Sequence, residues 1–473
     1  MNQKPFIHTF KAGKSYFIYD VNTDKILKVN AAVYNYLNKI EHNLEKESDW
    51  NIEIEDEINT LINYGFLKNK RVNKTMHPET KYIKYHIENN LSSIILQVTQ
   101  NCNLRCDYCI YSGSYSNRVH TNKRMNIDVA KRSIDYLIKN SSQLNEVSVG
   151  FYGGEPLLEF DLIKQIVEYV KVVGEGKEIY FNLTTNATLF NEEIIEFFVK
   201  NNITTMISLD GGKEIHDKSR KFANTGEGSH DVVLKNVRYI KNKYPEYYKK
   251  NITFNTVINS ENDYISIDDF ISKNETLKDS NFLASTLNNN YSDKEIVSSD
   301  EYILGKSYDR FLTLLNKLKF IKDESMSPLS RIERALLDDF RYEKNIEGRL
   351  ELPDVWHHGG PCIPGAFRIF VTTDGEFFPC ERVSESSKMG MIGNLDSGVD
   401  IEKAEKLLNI GKLYEEQCSD CWAYSYCDIC IAKIDDTKCN ENEIKPHDCD
   451  RIRHSTENNM KDYCVLKSLG YQY

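Results

Sequence analysis

LSSIILQVTQNCNLRCDYC, residues 91–109, is an apolar, strand-like run that ends in a loop carrying Cys102, Cys106 and Cys109. The C-x3-C-x2-C spacing puts three thiolates on one short loop. That is enough to hold three irons of a 4Fe-4S cube and leave the fourth iron open to a ligand. Zinc is the competing reading, but zinc sites usually pair two C-x2-C knuckles, and no fourth ligand stands near this loop. A merely structural role for three thiols so close together is the poorest of the three readings.

Downstream, the chain alternates strand and helix patterns. Strands are expected at 93–98, 146–151, 178–182, 204–209, 253–258 and 281–284, and helices at 127–139, 160–173, 191–201 and 232–243. Repeated βα units predict an α/β fold with a parallel sheet and ligands at the carboxyl ends of the strands. Upstream, short alternating runs at 14–19 and 25–29 flank a turn at 20–24. Helical patterns follow at 31–40, with Val33, Tyr34, Leu37 and Ile40, and at 54–66, with Ile58, Leu61, Ile62 and Phe66. Charge-rich helices at 300–318 and 328–341 bridge to a cysteine-rich end. The expected organisation is therefore 1–90, 91–320, 321–355 and 356–473.

Of the twelve cysteines, three lie in 102–109 and nine in 362–464, a segregation that favours metal ligation over disulfides in a reducing compartment. The net charge of −11 lacks the basic surplus of a protein that grips phosphate backbones, so nucleic acid is excluded as a first choice of partner. No signal peptide and no membrane-spanning run is read in the sequence, and a cytoplasmic location is expected.

Two further segments carry chemistry. FYGGEP at 151–156 ends the second expected strand; taken alone it is a turn in which Gly supplies unusual dihedrals and Pro starts a helix. SLDGGKEIHDKSR at 208–220 is, taken alone, an ordinary polar loop.

With Tyr108 before its last cysteine, the 102–109 loop resembles the signature of the radical S-adenosylmethionine (AdoMet) enzymes. The resemblance implies a partial six-stranded TIM-like barrel whose Cys102, Cys106 and Cys109 hold a 4Fe-4S cluster, the open iron chelating the amino and carboxylate groups of AdoMet. It implies that Gly153, Gly154 and Glu155 meet the cofactor's ammonium, that Ser208 bonds the ribose, and that the planar guanidinium of Arg220 takes the methionyl carboxylate. Thr185 and Asn186 would add polar contacts, and Leu283 would pack on adenine. In such enzymes the reduced cluster cleaves AdoMet to a 5'-deoxyadenosyl radical.

At the other end, Cys362, G-x4-C ending at Cys380, the block Cys418, Cys421, Cys427 and Cys430, and then Cys449 resemble the SPASM extension, which holds two auxiliary 4Fe-4S clusters. Alone, the block reads equally as a zinc knuckle. By resemblance, Cys418, Cys421, Cys427 and Cys449 take auxiliary cluster II, and Cys362, Cys380 and Cys430 take auxiliary cluster I, giving three clusters in all. The block departs from the family by a C-x2-C where x3 is usual, and the cysteine that relatives carry just upstream of Cys362 is absent. Either Cys439 closes cluster I or one iron is open to a substrate thiolate, the favoured reading. Cys464 reads as a packed thiol.

The segments HHGGPCIPG, GEFFPCERV and CSDCWAYSYC resemble thioether-forming maturases of cysteine-rich ribosomal peptides, including ranthipeptide enzymes of the freyrasin type. This implies a Cys-containing precursor peptide as partner, its leader read by an N-terminal domain that resembles a winged helix and adds a strand to a sheet edge. An electron donor such as flavodoxin or ferredoxin is implied as well. A structural cap on the barrel is the alternative role for residues 1–90. Glu381 stands where sulfatase-maturing relatives carry an Asp base; a surface carboxylate is the plain alternative. His357 and His358 could line the site, but solvated loop histidines are the expected case. The rival functions are a carbon–carbon crosslink, formylglycine formation, and a non-catalytic iron–sulfur protein.

Overall fold

The computed structural model describes residues 4–44, 52–111, 119–287, 296–338, 349–434, 436 and 449–472. Six parallel strands, Ser93–Thr99, Glu146–Gly153, Glu178–Thr185, Thr204–Ser208, Ile252–Ile258 and Asn281–Thr286, lie side by side in chain order. The helices Ile127–Lys139, Phe160–Val173, Glu192–Lys200 and His230–Lys243 stand between them in sequence. Their Asn126 and Asn191 caps accept backbone N–H groups, as short polar side chains at helix starts do.

The strands form a partial barrel because the ends do not meet. Ser93–Thr99 takes Arg368–Val371 as its other neighbour, again parallel, and Asn281–Thr286 stays at the far edge. Glu376–Phe378, Gly393–Asn394 and Gly398–Val399 continue that sheet antiparallel, so the cysteine-rich end is an extension of the barrel sheet. A single apolar core runs through both, from Phe151 and Phe254 to Phe370, Phe377, Phe378 and Ile431.

Parallel sheets covered by helices on both faces read as continuous apolar runs. Here burial alternates instead. In the fifth strand Ile252, Phe254, Thr256 and Ile258 are buried while Thr253, Asn255 and Val257 are only partly covered. On this strand one face packs into the apolar core, and the other is left partly accessible.

Residues 1–90 contain a strand that sequence patterning does not show. Ile7–Ala12 pairs antiparallel with Ser15–Asp20, which pairs with Lys25–Val29. Its pattern hides because both faces are buried: Ile7 packs with Val33 and Leu37 beneath the helix Ala31–Glu41, whereas Phe6 and Phe10 pack with Met460 and Cys464 of the helix Cys449–Ser468. The N-terminal sheet thus rests on the C-terminal helix. Cys464 is a buried thiol, as expected. Among the described residues no helix is long and apolar enough to cross a membrane.

Candidate active site

The cysteine loop is fastened at three places. Leu104–Cys106 pairs antiparallel with Arg220–Phe222, setting Cys106 opposite Arg220. The Gly153–Gly154 turn closes on it from the next barrel strand, with Gly154 N–H donating to Thr99 O at 3.0 Å and Glu155 N–H to Asn101 O at 2.8 Å. A Cβ on Gly153 would lie 2.0 Å from Thr99 O and one on Gly154 2.1 Å from Asn101 O, and Gly153 has φ +141°. Both glycines are required by close approach. Third, Asn186 Nδ2 donates to Asn103 Oδ1 at 2.9 Å and reaches the Cys102 sulfur at 3.8 Å.

Within the loop, Leu104 N–H points at the Cys102 sulfur (3.3 Å) and Tyr111 N–H at the Cys109 sulfur (3.4 Å). Such donors stabilise sulfur ligands of clusters. Burial pushes the Cys102 and Cys106 thiols up to about 12; for Cys102, Glu155, Cys106 and Cys109 add to the effect, while Arg220 opposes it at Cys106. Thiols this costly to ionise become thiolates when a metal supplies the positive charge. The donor set therefore fits an iron–sulfur cluster.

Glu155 is buried, and burial raises its pKa to about 7 against the bonds it accepts. Those come from Leu157 N–H at 3.0 Å, Thr185 Oγ1 at 2.7 Å and Asn186 N–H at 2.8 Å. Thr185 and Asn186 thereby hold the carboxylate that sequence motifs single out. Ser208 ends the fourth strand; it and Leu283 both register with Asn255, placing all three at one level of the sheet. Leu283 is 48% exposed, on the accessible face.

Sequence reasoning misses Asp210. Its carboxylate is 2% exposed and accepts from Arg220 Nε at 2.7 Å and Nη2 at 3.2 Å, from Val257 N–H at 3.0 Å, and from the Tyr108 hydroxyl. Only the pairing of Arg220 with the cysteine loop, a long-range event, gives this acid its meaning. Also missed is Glu385, which accepts from Gln97 Nε2 (2.7 Å), Gln100 Nε2 (3.0 Å) and Tyr111 Oη (3.2 Å), tying the first barrel strand and the cysteine loop to the C-terminal extension.

The C-terminal thiols fall into two groups. Burial first, then Cys421, Cys427 and Cys449, push the Cys418 thiol up to about 12. Separately, Cys380 is raised by burial, with Glu381 and Cys430 contributing, and Cys430 in turn feels Cys362, which is exposed. Among the described residues no three His, Cys, Asp or Glu groups are drawn tightly enough together for a single metal ion. Cys439 lies outside the described residues. Glu381 pairs with Arg368 at 3.3 Å. The expectation for His358 is corrected: it is 2% exposed, donates to Ile429 O at 3.1 Å, and burial lowers its pKa to about 4. Ile429 and Gly411, distant in sequence, cover it.

Residues 96–270 match the Radical SAM superfamily. Over 162 residues the chain is 34% identical to a cysteine-type anaerobic sulfatase-maturating enzyme of Clostridium novyi, covering 34% of this chain and 42% of that protein. It is 25% identical over 234 residues to the radical SAM cyclopropyl synthase TigE of Paramaledivibacter caminithermalis, covering 46% and 47%. A protein of Methanocaldococcus jannaschii is 40% identical over 151 residues, covering 32% and 49%. The chain thus spans about half or less of the length of these curated relatives. Among solved structures, native anSMEcpe with bound AdoMet and Cp18Cys peptide superposes with a TM-score of 0.56 at 20% identity, covering 80% of this chain and 99% of that one, a likeness of fold. The cysteine loop, the glycine turn and the Arg220 strand all fall within residues 96–270, the segment that matches the Radical SAM superfamily.

Proposed function

We propose that the chain is a radical AdoMet peptide maturase that forms thioether links, cysteine sulfur to carbon, in a ribosomally made precursor peptide. The observation that carries this reading is the second thiol group, Cys362, Cys380 and Cys430, three described cysteines with Cys362 exposed. Three donors suit a cluster with one position left for a substrate thiolate.

Cys102, Cys106 and Cys109 would hold the AdoMet cluster, Cys418, Cys421, Cys427 and Cys449 auxiliary cluster II, and Cys362, Cys380 and Cys430 auxiliary cluster I. Together with AdoMet, these groups supply a hydrogen-abstracting radical, a binding position for sulfur and a sink for the surplus electron. The chain's own residues bind and orient. Glu155, poised near neutrality, receives the cofactor's ammonium; Arg220 receives its carboxylate; Ser208 and Leu283 receive ribose and adenine. The packed glycine turn holds the cysteine loop against the second barrel strand. The N-terminal three-stranded sheet would take the leader, and flavodoxin or ferredoxin would supply electrons. The likeness to anSMEcpe, whose structure holds a bound peptide, supports a peptide substrate.

The test is mass spectrometry of the neighbouring Cys-containing peptide after anaerobic incubation with reconstituted enzyme, AdoMet and reductant, followed by thiol alkylation. Loss of a hydrogen pair per link, matched by loss of alkylatable thiols and a sulfur-to-carbon fragment, is expected. A hydrogen-pair loss with all thiols still alkylatable would replace the thioether by a carbon–carbon link. Formylglycine formation is disfavoured by Glu381, which stands where sulfatase-maturing relatives carry an Asp, and by the absence of a cysteine just upstream of Cys362.

A further inference from the structure

The Arg220 guanidinium is held on every side but one. Its strand pairs with the cysteine loop, Arg220 against Cys106, so its backbone is fixed relative to the thiols. Its Cζ lies over the Tyr108 ring, 5.4 Å from the ring centre. Its side-on fork, Nε and Nη2, closes on Asp210 at 2.7 and 3.2 Å. A side-on pair uses one N–H from each of those nitrogens and leaves the end-on edge, Nη1 with the second Nη2 hydrogen, as a further bidentate donor.

Asp210 is itself saturated. A carboxylate offers about four acceptor positions, and Asp210 fills them with the two Arg220 donors, Val257 N–H and the Tyr108 hydroxyl. Both charges are buried, at 2% and 7% exposure. His216, fully buried beside them, accepts from Asp210 N–H at 3.4 Å and donates to Ser229; burial and the Arg220 charge keep it neutral. A buried ion pair of this kind is poor evidence for stability, and breaking it leaves an uncompensated buried charge.

We infer that Asp210, held by Tyr108 and Val257, is the positioning residue that turns the end-on edge of Arg220 toward the carboxylate of AdoMet. The inference rests on the AdoMet reading of the site. It also gives Tyr108 a role: its ring and hydroxyl register the Asp210–Arg220 pair to the cysteine loop beside Cys109.

The experiment is a double-mutant cycle on the anaerobically reconstituted protein, reading AdoMet affinity by equilibrium dialysis, with iron per chain and circular dichroism confirming folding. Asp210→Asn should raise the AdoMet Kd about ten- to a hundredfold, the usual cost of losing an orienting partner. Arg220→Gln should raise it further. In the Arg220→Gln background Asp210→Asn should add nothing, because residues acting through one another are not additive. Asp210→Glu should recover part of the affinity. Equal, additive losses in both backgrounds would overturn the inference, as would wild-type affinity in Asp210→Asn. If Asp210→Asn does not fold, Tyr108→Phe carries the same cycle: it should weaken AdoMet severalfold, and only when Arg220 is present; an unchanged affinity would overturn the inference. Absence of AdoMet binding by the unsubstituted protein would overturn this inference and the site reading together, whereas binding with additive losses overturns this inference alone.

Discussion

Gly154→Ala tests the site at its tightest point. The added Cβ would sit 2.1 Å from Asn101 O, 2.5 Å from Asn101 C and 3.1 Å from Cys102 Cβ, whereas real Cβ contacts essentially never fall below 3.0 Å. The glycine turn and the cysteine loop must therefore separate by at least 0.9 Å, the difference between 3.0 and 2.1 Å. Both Asn101 atoms are backbone, so no rotamer change relieves the clash. Overpacking of this kind costs about 1–3 kcal/mol, and a misplacement of about 1 Å in a reacting geometry costs about a hundredfold in rate. The movement also breaks the 2.8 Å bond from Glu155 N–H to Asn101 O and carries the Glu155 carboxylate away from Cys102. The assay is the rate of 5'-deoxyadenosine formation from AdoMet under reductant, with iron content as control. Gly176→Ala is the comparison: Gly176, unlike Gly154, has positive φ, at +91°, and nothing lies within 4 Å of its Cβ position, so only backbone strain is added and the rate should hold. Gly154→Ala turning over at the unsubstituted rate would refute the argument that the turn and the loop are one close-packed unit.

Glu155 has a folded-state pKa raised to about 7 by burial. A raised carboxyl stabilises the fold below its unfolded value and loses that contribution as pH rises through about 7. Melting temperatures of the cluster-free protein between pH 5 and 8 should fall more steeply than those of Glu155→Gln; parallel curves would count against it. AdoMet, by favouring the ionised form, should bind more tightly as pH rises over the same window. His8, raised by Glu41 and Glu457 against burial, works in the same direction: its contribution is full below its ordinary value and lost at higher pH. His8→Ala should cost about 2 kcal/mol at pH 6 and less at pH 8.5, read by thermal unfolding. Cys418→Ala should remove one cluster's worth of iron per chain while AdoMet cleavage persists; unchanged iron would dissolve the proposed grouping of Cys418 with Cys421, Cys427 and Cys449.

The barrel was legible because its strands are β-branched runs punctuated by Gly, Asn and Pro, and all six begin within one residue of where pattern alone puts them. The cysteine loop and the glycine turn were legible as motifs because their chemistry is local. What stayed hidden depends on pairing across long distances. Ile7–Ala12 shows no alternation because both its faces are buried, and Arg368–Val371 is four residues long, defined mainly by its partner Ser93–Thr99. Asp210 reads as one polar residue among many until Arg220–Phe222 folds back onto Leu104–Cys106. His358 reads as a loop residue until Gly411 and Ile429 cover it.

The N-terminal unit and the 418–427 thiol loop cannot be treated as separate modules. Four residues within that loop each engage the first 75: Asp420 pairs with Arg71 at 2.9 Å, Trp422 stacks on His8 with centroids 3.8 Å apart and planes within 2°, Tyr424 meets Thr75 at 3.0 Å, and Tyr426 donates to Asp24 at 2.6 Å. His8 also bridges to Glu457, two turns along the helix that begins at Cys449. Deleting the N-terminal sheet would bare three aromatic side chains around these cysteines and cut the link to that helix. A ligand that shifts the sheet must therefore do work on the thiol loop, and by linkage whatever fills the thiol site must act back on the sheet with the same coupling free energy.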